Sequence, residues 1–230
     1  MILAFDAASS SYSVSVFRDG TLSANFSESS TMTHSQTLLP AILSALEKSG
    51  ATTDDIEKII VTTGPGSFTG LKIAVATAKG LAFAKDIPCV PLSTLKAMAY
   101  GHRNEDGIIC CTLDARRKML YAAFFESKDG KITRLTEDGQ IPAEEAATVA
   151  AGYGKKLILV GDGAKILAER LEDKNAEFVL PQGFDIIDSR GMLAAAEGED
   201  EVSSLKLLPR YLRKPQAERD REEKLKGDMK

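Results

Sequence analysis

The sequence predicts an α/β fold built twice: two halves, each a mixed sheet flanked by helices. Three observations predict it. An apolar strand ending in Asp-Ala occurs twice, as Ile2–Ala7 and Ile108–Ala115. Each copy leads to a strand bearing a tyrosine, Tyr12 or Tyr121, and then to an Asp-Gly hairpin signal, Asp19-Gly20 or Asp129-Gly130. Each half then passes from meandering strands to alternating helices and strands, the pattern of an α/β layer. Weak identity with good agreement of pattern indicates internal duplication.

The elements follow in order. Residues 2–5 form an apolar strand. Tyr12, Val14 and Val16 alternate with Ser13 and Ser15, which reads as a half-buried strand, and Thr21–Glu28 returns as a third. A helix then carries Leu38, Leu39, Ile42 and Leu46 on one side, with Thr33 or Ser35 as its cap and Pro40 tolerated near its first turn. Thr53 caps a short acidic turn, Asp54–Glu57. Ile59-Ile60-Val61 is a buried strand; Leu71–Ala84 is a helix of small and apolar residues. Cys89-Val90 is a strand, and Ser93–Tyr100 a helix. In the second half, strands fall at Ile108–Ala115, Met119–Phe125, Lys131–Leu135, Leu157–Val160 and Glu177–Leu180. Its helices fall at Ala143–Ala151, Ala164–Leu171 and Met192–Glu197. The domains expected are 1–103, 104–190 and a C-terminal segment 191–230 returning to the first, whose residues 214–230 read as a solvated, charged tail.

Composition bounds the function. A chain of 230 residues can bury about 70% of its unfolded surface without disulfides or metal staples. Its net charge of −4 makes it no general nucleic-acid magnet, though a local basic strip remains open. The start has no basic stretch ahead of an apolar one, and no apolar run approaches the ~20 residues that span a bilayer. The three cysteines, Cys89, Cys110 and Cys111, form no disulfide framework; adjacent strand residues point to opposite faces, so Cys110 and Cys111 read as packing residues. A reducing cytoplasm is expected.

The most informative stretch is Gly64-Pro65-Gly66-Ser67-Phe68-Thr69-Gly70, between a strand and a helix. Such a junction can cradle an anion, because N–H groups of the first helical turn lack partners. A P-loop needs Gly-Lys-Ser/Thr at its end, yet Gly70 is followed by Leu71, and Lys72 comes one place late. A dinucleotide fingerprint needs two residues between its last glycines, and here three separate Gly66 from Gly70. The plainer reading is a tight turn in which glycines let helix and strand approach. Ala76, Gly80 and Ala84 then repeat every four residues, a small-residue face open to another backbone of this fold or of a partner chain.

Asp6 and Asp114 end corresponding strands. They read either as structural turn residues or as a carboxylate pair across an interdomain cleft, holding Mg²⁺ through water beside a polyphosphate. With two histidines, His34 and His102, there is no His-Glu-x-x-His and no G-x-S-x-G elbow, which disfavours zinc and serine hydrolase chemistry. Arg116-Arg117-Lys118 is either a solvated edge or a contact for tRNA phosphates.

Gly64–Ile73, His34-Ser35-Gln36 with Leu39-Pro40, Asp114-Ala115-Arg116 with Tyr121, and Pro209–Arg213 together resemble the bacterial TsaB family. One departure is Lys72, where the family usually has arginine. The resemblance covers nearly the whole chain and is weakest over 130–200. It implies an actin-like (ASKHA) fold of two RNase-H-like halves. It implies a non-catalytic subunit in making threonylcarbamoyladenosine on tRNA, partnered by a large catalytic paralogue (TsaD-like) and an ATPase (TsaE-like), and a homodimer when alone. No cofactor of its own is expected; ATP or ADP and metal would sit in the partners, and tRNA would be met indirectly. The implied partner surface is the two N-terminal helices: His34, Leu38, Leu39, Ile42, Phe68, Thr69, Leu71, Lys72, Ala76, Lys79 and Gly80. The alternative is an actin-like ATPase or phosphotransferase using Asp6, Asp114, Gly161 and Gly163.

Overall fold

The computed structural model describes residues 1–29 and 33–212. The first half runs β1 (Ile2–Asp6), β2 (Ser11–Arg18), β3 (Thr21–Ser29), α1 (His34–Lys48), β4 (Lys58–Gly64), α2 (Phe68–Phe83), β5 (Cys89–Ser93) and α3 (Thr94–Gly101). The second half runs β6 (Gly107–Asp114), β7 (Met119–Lys128), β8 (Lys131–Arg134), β9 (Gly139–Pro142), α4 (Ala143–Gly152), β10 (Leu157–Val160), α5 (Ala164–Glu172), β11 (Phe178–Val179) and α6 (Met192–Ala195). The expected charged tail, 214–230, lies outside the described residues.

The duplication is explicit in the sheets. One has the order β3-β2-β1-β4-β5, and the other, read from the matching edge, β8-β7-β6-β10-β11. In each, the second strand is antiparallel to the first. The fourth strand runs parallel to the first and the fifth parallel to the fourth. Asp6 and Asp114 therefore occupy equivalent places, the last residues of β1 and β6. Both hairpins turn as the Asp-Gly pairs predict: Asp19 and Gly20 have φ of 50° and 75°, and Asp129 and Gly130 have 52° and 75°.

Apolar burial stacks the chain in layers. Leu3, Phe5 and Val14 of the first sheet pack on Leu38 and Ile42 of α1 and on Ala74 and Ala78 of α2. The opposite face of that sheet contributes Ala4 and Ile60 to a core shared with α3, α6 and Ile109, Phe125 and Val160 of the second sheet. The far face of the second sheet packs Phe124 and Leu159 against Ala146 of α4 and Leu167 of α5. Cys110 and Cys111 enter different cores, as their alternation predicts.

Four local expectations need correction. β2 is not half-buried. Ser13 and Ser15 are fully enclosed, because a 3-10 turn at Ser189–Gly191 covers them and Ser189 Oγ lies 2.6 Å and 2.7 Å from their hydroxyls. Thr33 stands at the N-cap of α1, but its hydroxyl is engaged by Ser35 and Gln36 side chains and caps no backbone N–H. The short turn at Thr53–Asp55 is capped one residue earlier, by Thr52 in a reciprocal box with Asp55. The third strand of the second sheet is split into β8 and β9: Phe125 pairs with Arg134, Ala122 with Gly139, and residues 135–138 loop out between them. Arg134 and Asp138 close that excursion with an ion pair of 2.8 Å.

Candidate functional site: the glycine turn and the N-terminal helix face

The glycine turn is wedged between two backbones. The Gly64–Pro65 bond is cis, and Gly64 and Gly66 have φ of 131° and 156°. A Cβ on Gly64 would land on the carbonyl oxygen of Arg210; on Gly66 or Gly70 it would land on the carbonyls of Ala8 or Ala7. Two of the turn's N–H groups have acceptors within the fold. Ser67 N–H donates to the Ala8 carbonyl at 2.7 Å, and Gly70 N–H donates to the Ser67 hydroxyl at 3.3 Å, capping α2. These contacts favour the tight-turn reading over an anion cradle.

Past the turn, α2 presents two unlike faces. Ala74 and Ala78 are enclosed, whereas Ala76, Gly80 and Ala84 are exposed, and a Cβ on Gly80 would meet nothing within 4 Å. Phe83, at 71% exposure, extends this face with an aromatic ring. On α1, packed against the same side of the sheet, Leu39 and Leu43 are also exposed. At the start of α2 the Phe68 ring lies 4.8 Å from that of Tyr211, with Lys72 Nζ 4.0 Å over its centroid.

A concavity of about 400 Å³ opens between the halves and is lined by Ser9, Ser10, Ser67, Asp114, Arg116 and Asp162 among others. Asp114 accepts the Arg116 N–H at 2.7 Å and its guanidinium at 3.2 Å, while Asp162 accepts the Asp114 N–H at 2.8 Å. Asp6 does not reach this space. It is fully buried, accepts the Thr62 hydroxyl, and takes the Ala8 N–H on both oxygens at 3.2 Å. Burial pushes its carboxyl up to about 7 against those hydrogen bonds. The expected pair facing across a cleft is thus broken by burial, and Asp6 is not offered to a cation. Gly161 and Gly163 are accounted for by packing: a Cβ on the first would strike the Thr112 carbonyl, and on the second the Leu113 backbone and the Leu120 side chain. Among the described residues no three of His, Cys, Asp and Glu gather as a metal-holding group. None of their helices is long and apolar enough to cross a membrane.

Comparison with known proteins gives the lineage. The tRNA threonylcarbamoyladenosine biosynthesis protein TsaB of Bacillus subtilis is 29% identical over 172 residues, 75% of each chain. That of Escherichia coli is 36% identical over 133 residues, 57% of each chain. The solved structure of YeaZ from Pseudomonas aeruginosa superposes with a TM-score of 0.78 at 25% identity, over 92% of this chain and 99% of that one. The family model for TsaD, tRNA N6-adenosine threonylcarbamoyltransferase, matches residues 24–185. The chain belongs to this family, on its TsaB branch.

The partner surface expected of a TsaB protein is corrected by burial. Leu38, Ile42 and Leu71 are wholly enclosed and serve the core. Lys79 donates its ammonium to the carbonyls of Leu205 at 3.4 Å and Leu207 at 3.2 Å, which fastens the C-terminal segment. His34, partly buried, donates Nε2–H to the Ser9 carbonyl at 2.7 Å and holds the β1–β2 turn. Leu39, Thr69, Lys72, Ala76 and Gly80 stay exposed and Phe68 half-buried. Leu43 and Phe83 join them and were absent from the expected set. Apolar type at an outward helical position, four residues after Leu39 and three after Gly80, is the signal that marks them.

Proposed function

We propose that this TsaB-family chain is the non-catalytic subunit that supports transfer of a threonylcarbamoyl group to the adenosine beside the anticodon in tRNAs reading codons that begin with A. It acts by dimerising with the large, TsaD-like catalytic paralogue. The observation that carries the reading is the exposed face of α1 and α2, where Leu39, Leu43, Ala76, Gly80 and Phe83 lie outside the core. Small residues allow close approach of a second helix, and the large apolar ones supply the area an interface buries. Relatives named as threonylcarbamoyladenosine biosynthesis proteins supply the pathway. The same face would make a homodimer when the chain is alone, because a two-fold contact pairs one patch with itself.

Nucleotide, metal and the ATPase step are assigned to the partners. The enclosed Asp6 and the packing of the glycine turn onto the carbonyls of Ala7 and Ala8 support that assignment. The experiment is reconstitution of tRNA modification from the TsaD-like and TsaE-like subunits with and without this chain. Modification is expected only with it. Ala76→Arg and Gly80→Arg should abolish both modification and association by light scattering, with thermal unfolding unchanged. Full modification without the chain, or steady ATP hydrolysis by the chain alone, would overturn the reading.

A further inference from the structure

The turn between β6 and β7 sets three cations side by side, Arg116, Arg117 and Lys118, and the proposed docking face gives them no task. Their φ angles are 65°, 56° and 61°. L-residues other than glycine, asparagine and aspartate rarely enter this region even singly. Three in succession persist only where the surroundings impose them.

The surroundings here do so. Ala115 N–H donates to the Met119 carbonyl at 3.0 Å, Met119 N–H to the Arg116 carbonyl at 3.1 Å, and Ala143 N–H to the Lys118 carbonyl at 3.0 Å. Asp114 accepts the Arg116 N–H and its guanidinium. The turn is therefore a fixed platform rather than a loose tip. A merely solvated edge has no need of it, since glycine or asparagine would hold the turn with less strain and without three repelling charges.

All three side chains are exposed, Arg116 to 84%. Arg117 and Lys118 have no ion pair or hydrogen bond through their side chains among the described residues. The chain as a whole is acidic, so the patch is not a sample of a generally basic surface. Position separates two anionic ligands. Arg116 lines the space between the halves, but Arg117 and Lys118 do not. A nucleotide held in that space would meet one cation of the three, whereas an extended polyanion crossing the turn meets all three.

We propose that the Arg116–Lys118 turn is a contact for the phosphodiester backbone of RNA, a sequence-independent part of tRNA binding. The choice of tRNA rests on the function proposed above. The charge geometry does not.

The test is fluorescence anisotropy of labelled tRNA with the full chain, and with its complex with the TsaD-like subunit, over about 50 to 200 mM salt. The variants are Arg117→Gly with Lys118→Gly, which suit positive φ and so preserve the fold. Arg117→Lys serves as the charge-conserving control. Wild type should bind with a falling log–log salt dependence. The double variant should lose roughly 1.4 to 1.8 units of that slope for any tRNA sequence, about 0.7 to 0.9 for each of two phosphate contacts. Arg117→Lys should keep the slope, and ADP affinity should be the same in all. Absence of salt-dependent tRNA binding by wild type in both settings, or an unchanged slope in the double variant, would overturn the proposal. So would a loss confined to ADP. Light scattering against the TsaD-like subunit keeps the two readings apart: a variant that docks normally with an unchanged slope defeats this contact alone, and a wild type that does not dock defeats the scaffold reading alone.

Discussion

The backbone N–H of Arg210 donates to the carbonyl of Thr63 at 2.6 Å, tying the C-terminal segment to β4 one residue before the glycine turn. An antiparallel bridge between Cys89 and Val202, the Lys79 contacts to Leu205 and Leu207, and the Tyr211–Phe68 ring pair continue the attachment along the first half. The glycine turn, the start of α2 and the C-terminal segment thus share one set of contacts.

Gly64→Ala should break that set. The added methyl would fall on the Arg210 carbonyl, and the backbone at Gly64 has a φ of 131° that alanine does not tolerate. Strain and displacement together should cost about 2–3 kcal/mol, a Tm drop of roughly 5–10 °C for a chain of this size. Gly80→Ala is the matched control. It meets open space and should raise stability by up to about 1 kcal/mol through helix propensity. Calorimetry of the pair checks both signs.

Leu38 and Leu39 are adjacent on α1 and do opposite things. Leu38 is enclosed, whereas Leu39 is 44% exposed. Leu38→Ala should cost about 2–5 kcal/mol, the range for a cavity in a packed core. Leu39→Ala should change stability by no more than about 0.5 kcal/mol, yet weaken association with the TsaD-like partner proposed above by about tenfold. Denaturant unfolding and a titration of the complex distinguish them. Equal stability losses would mean that Leu39 is core.

Much of this was readable in the sequence because the relevant signals are local. Period-2 alternation and the two Asp-Gly pairs fixed the meanders, and the repeated strand ending in Asp-Ala fixed the duplication. What escaped reading depends on distant chain. Ser13 and Ser15 look solvent-facing until Ser189, remote in sequence, covers them. The partner of Gly64 is Arg210, so its conformational demand is visible in sequence but its cause is not. At Leu38-Leu39 both residues are apolar, and neighbours on a helix differ by about 100° in direction, so hydrophobicity alone cannot tell core from surface. β9 is four residues long and follows a four-residue excursion, too short for periodicity to register.

The thiols should be inert in the folded chain. Cys89, Cys110 and Cys111 are all buried, and desolvation pushes Cys89 up to about 11 and the other two higher still. A thiol reagent near pH 8 should label none of the three at a useful rate before unfolding and all three in denaturant, because the thiolate is the reactive species. Fast labelling of one native cysteine would show an opening through β5 or β6.

Asp6 should make stability depend on pH with the opposite sign to an ordinary ion-paired carboxylate. Its carboxyl sits near 3.8 when unfolded and is pushed up to about 7 by burial in the fold. Between those values the folded chain keeps a proton that the unfolded chain has released. Unfolding therefore releases a proton, and raising the pH favours it. The contribution of Asp6 is complete below about pH 4, is lost as pH rises toward 7, and is flat above. A shift of this size corresponds to about 4 kcal/mol at most, and to less where water relaxes around the charge. Asp6→Asn supplies a neutral group of the same shape, with an oxygen for the Thr62 hydroxyl. It should match wild type near pH 4, and exceed it in stability by about 2–4 kcal/mol above pH 7. Urea unfolding of both proteins across that range measures the difference directly. Parallel profiles would mean that Asp6 ionises at an ordinary pH, and the argument that it is withheld from a cation would fall with the prediction.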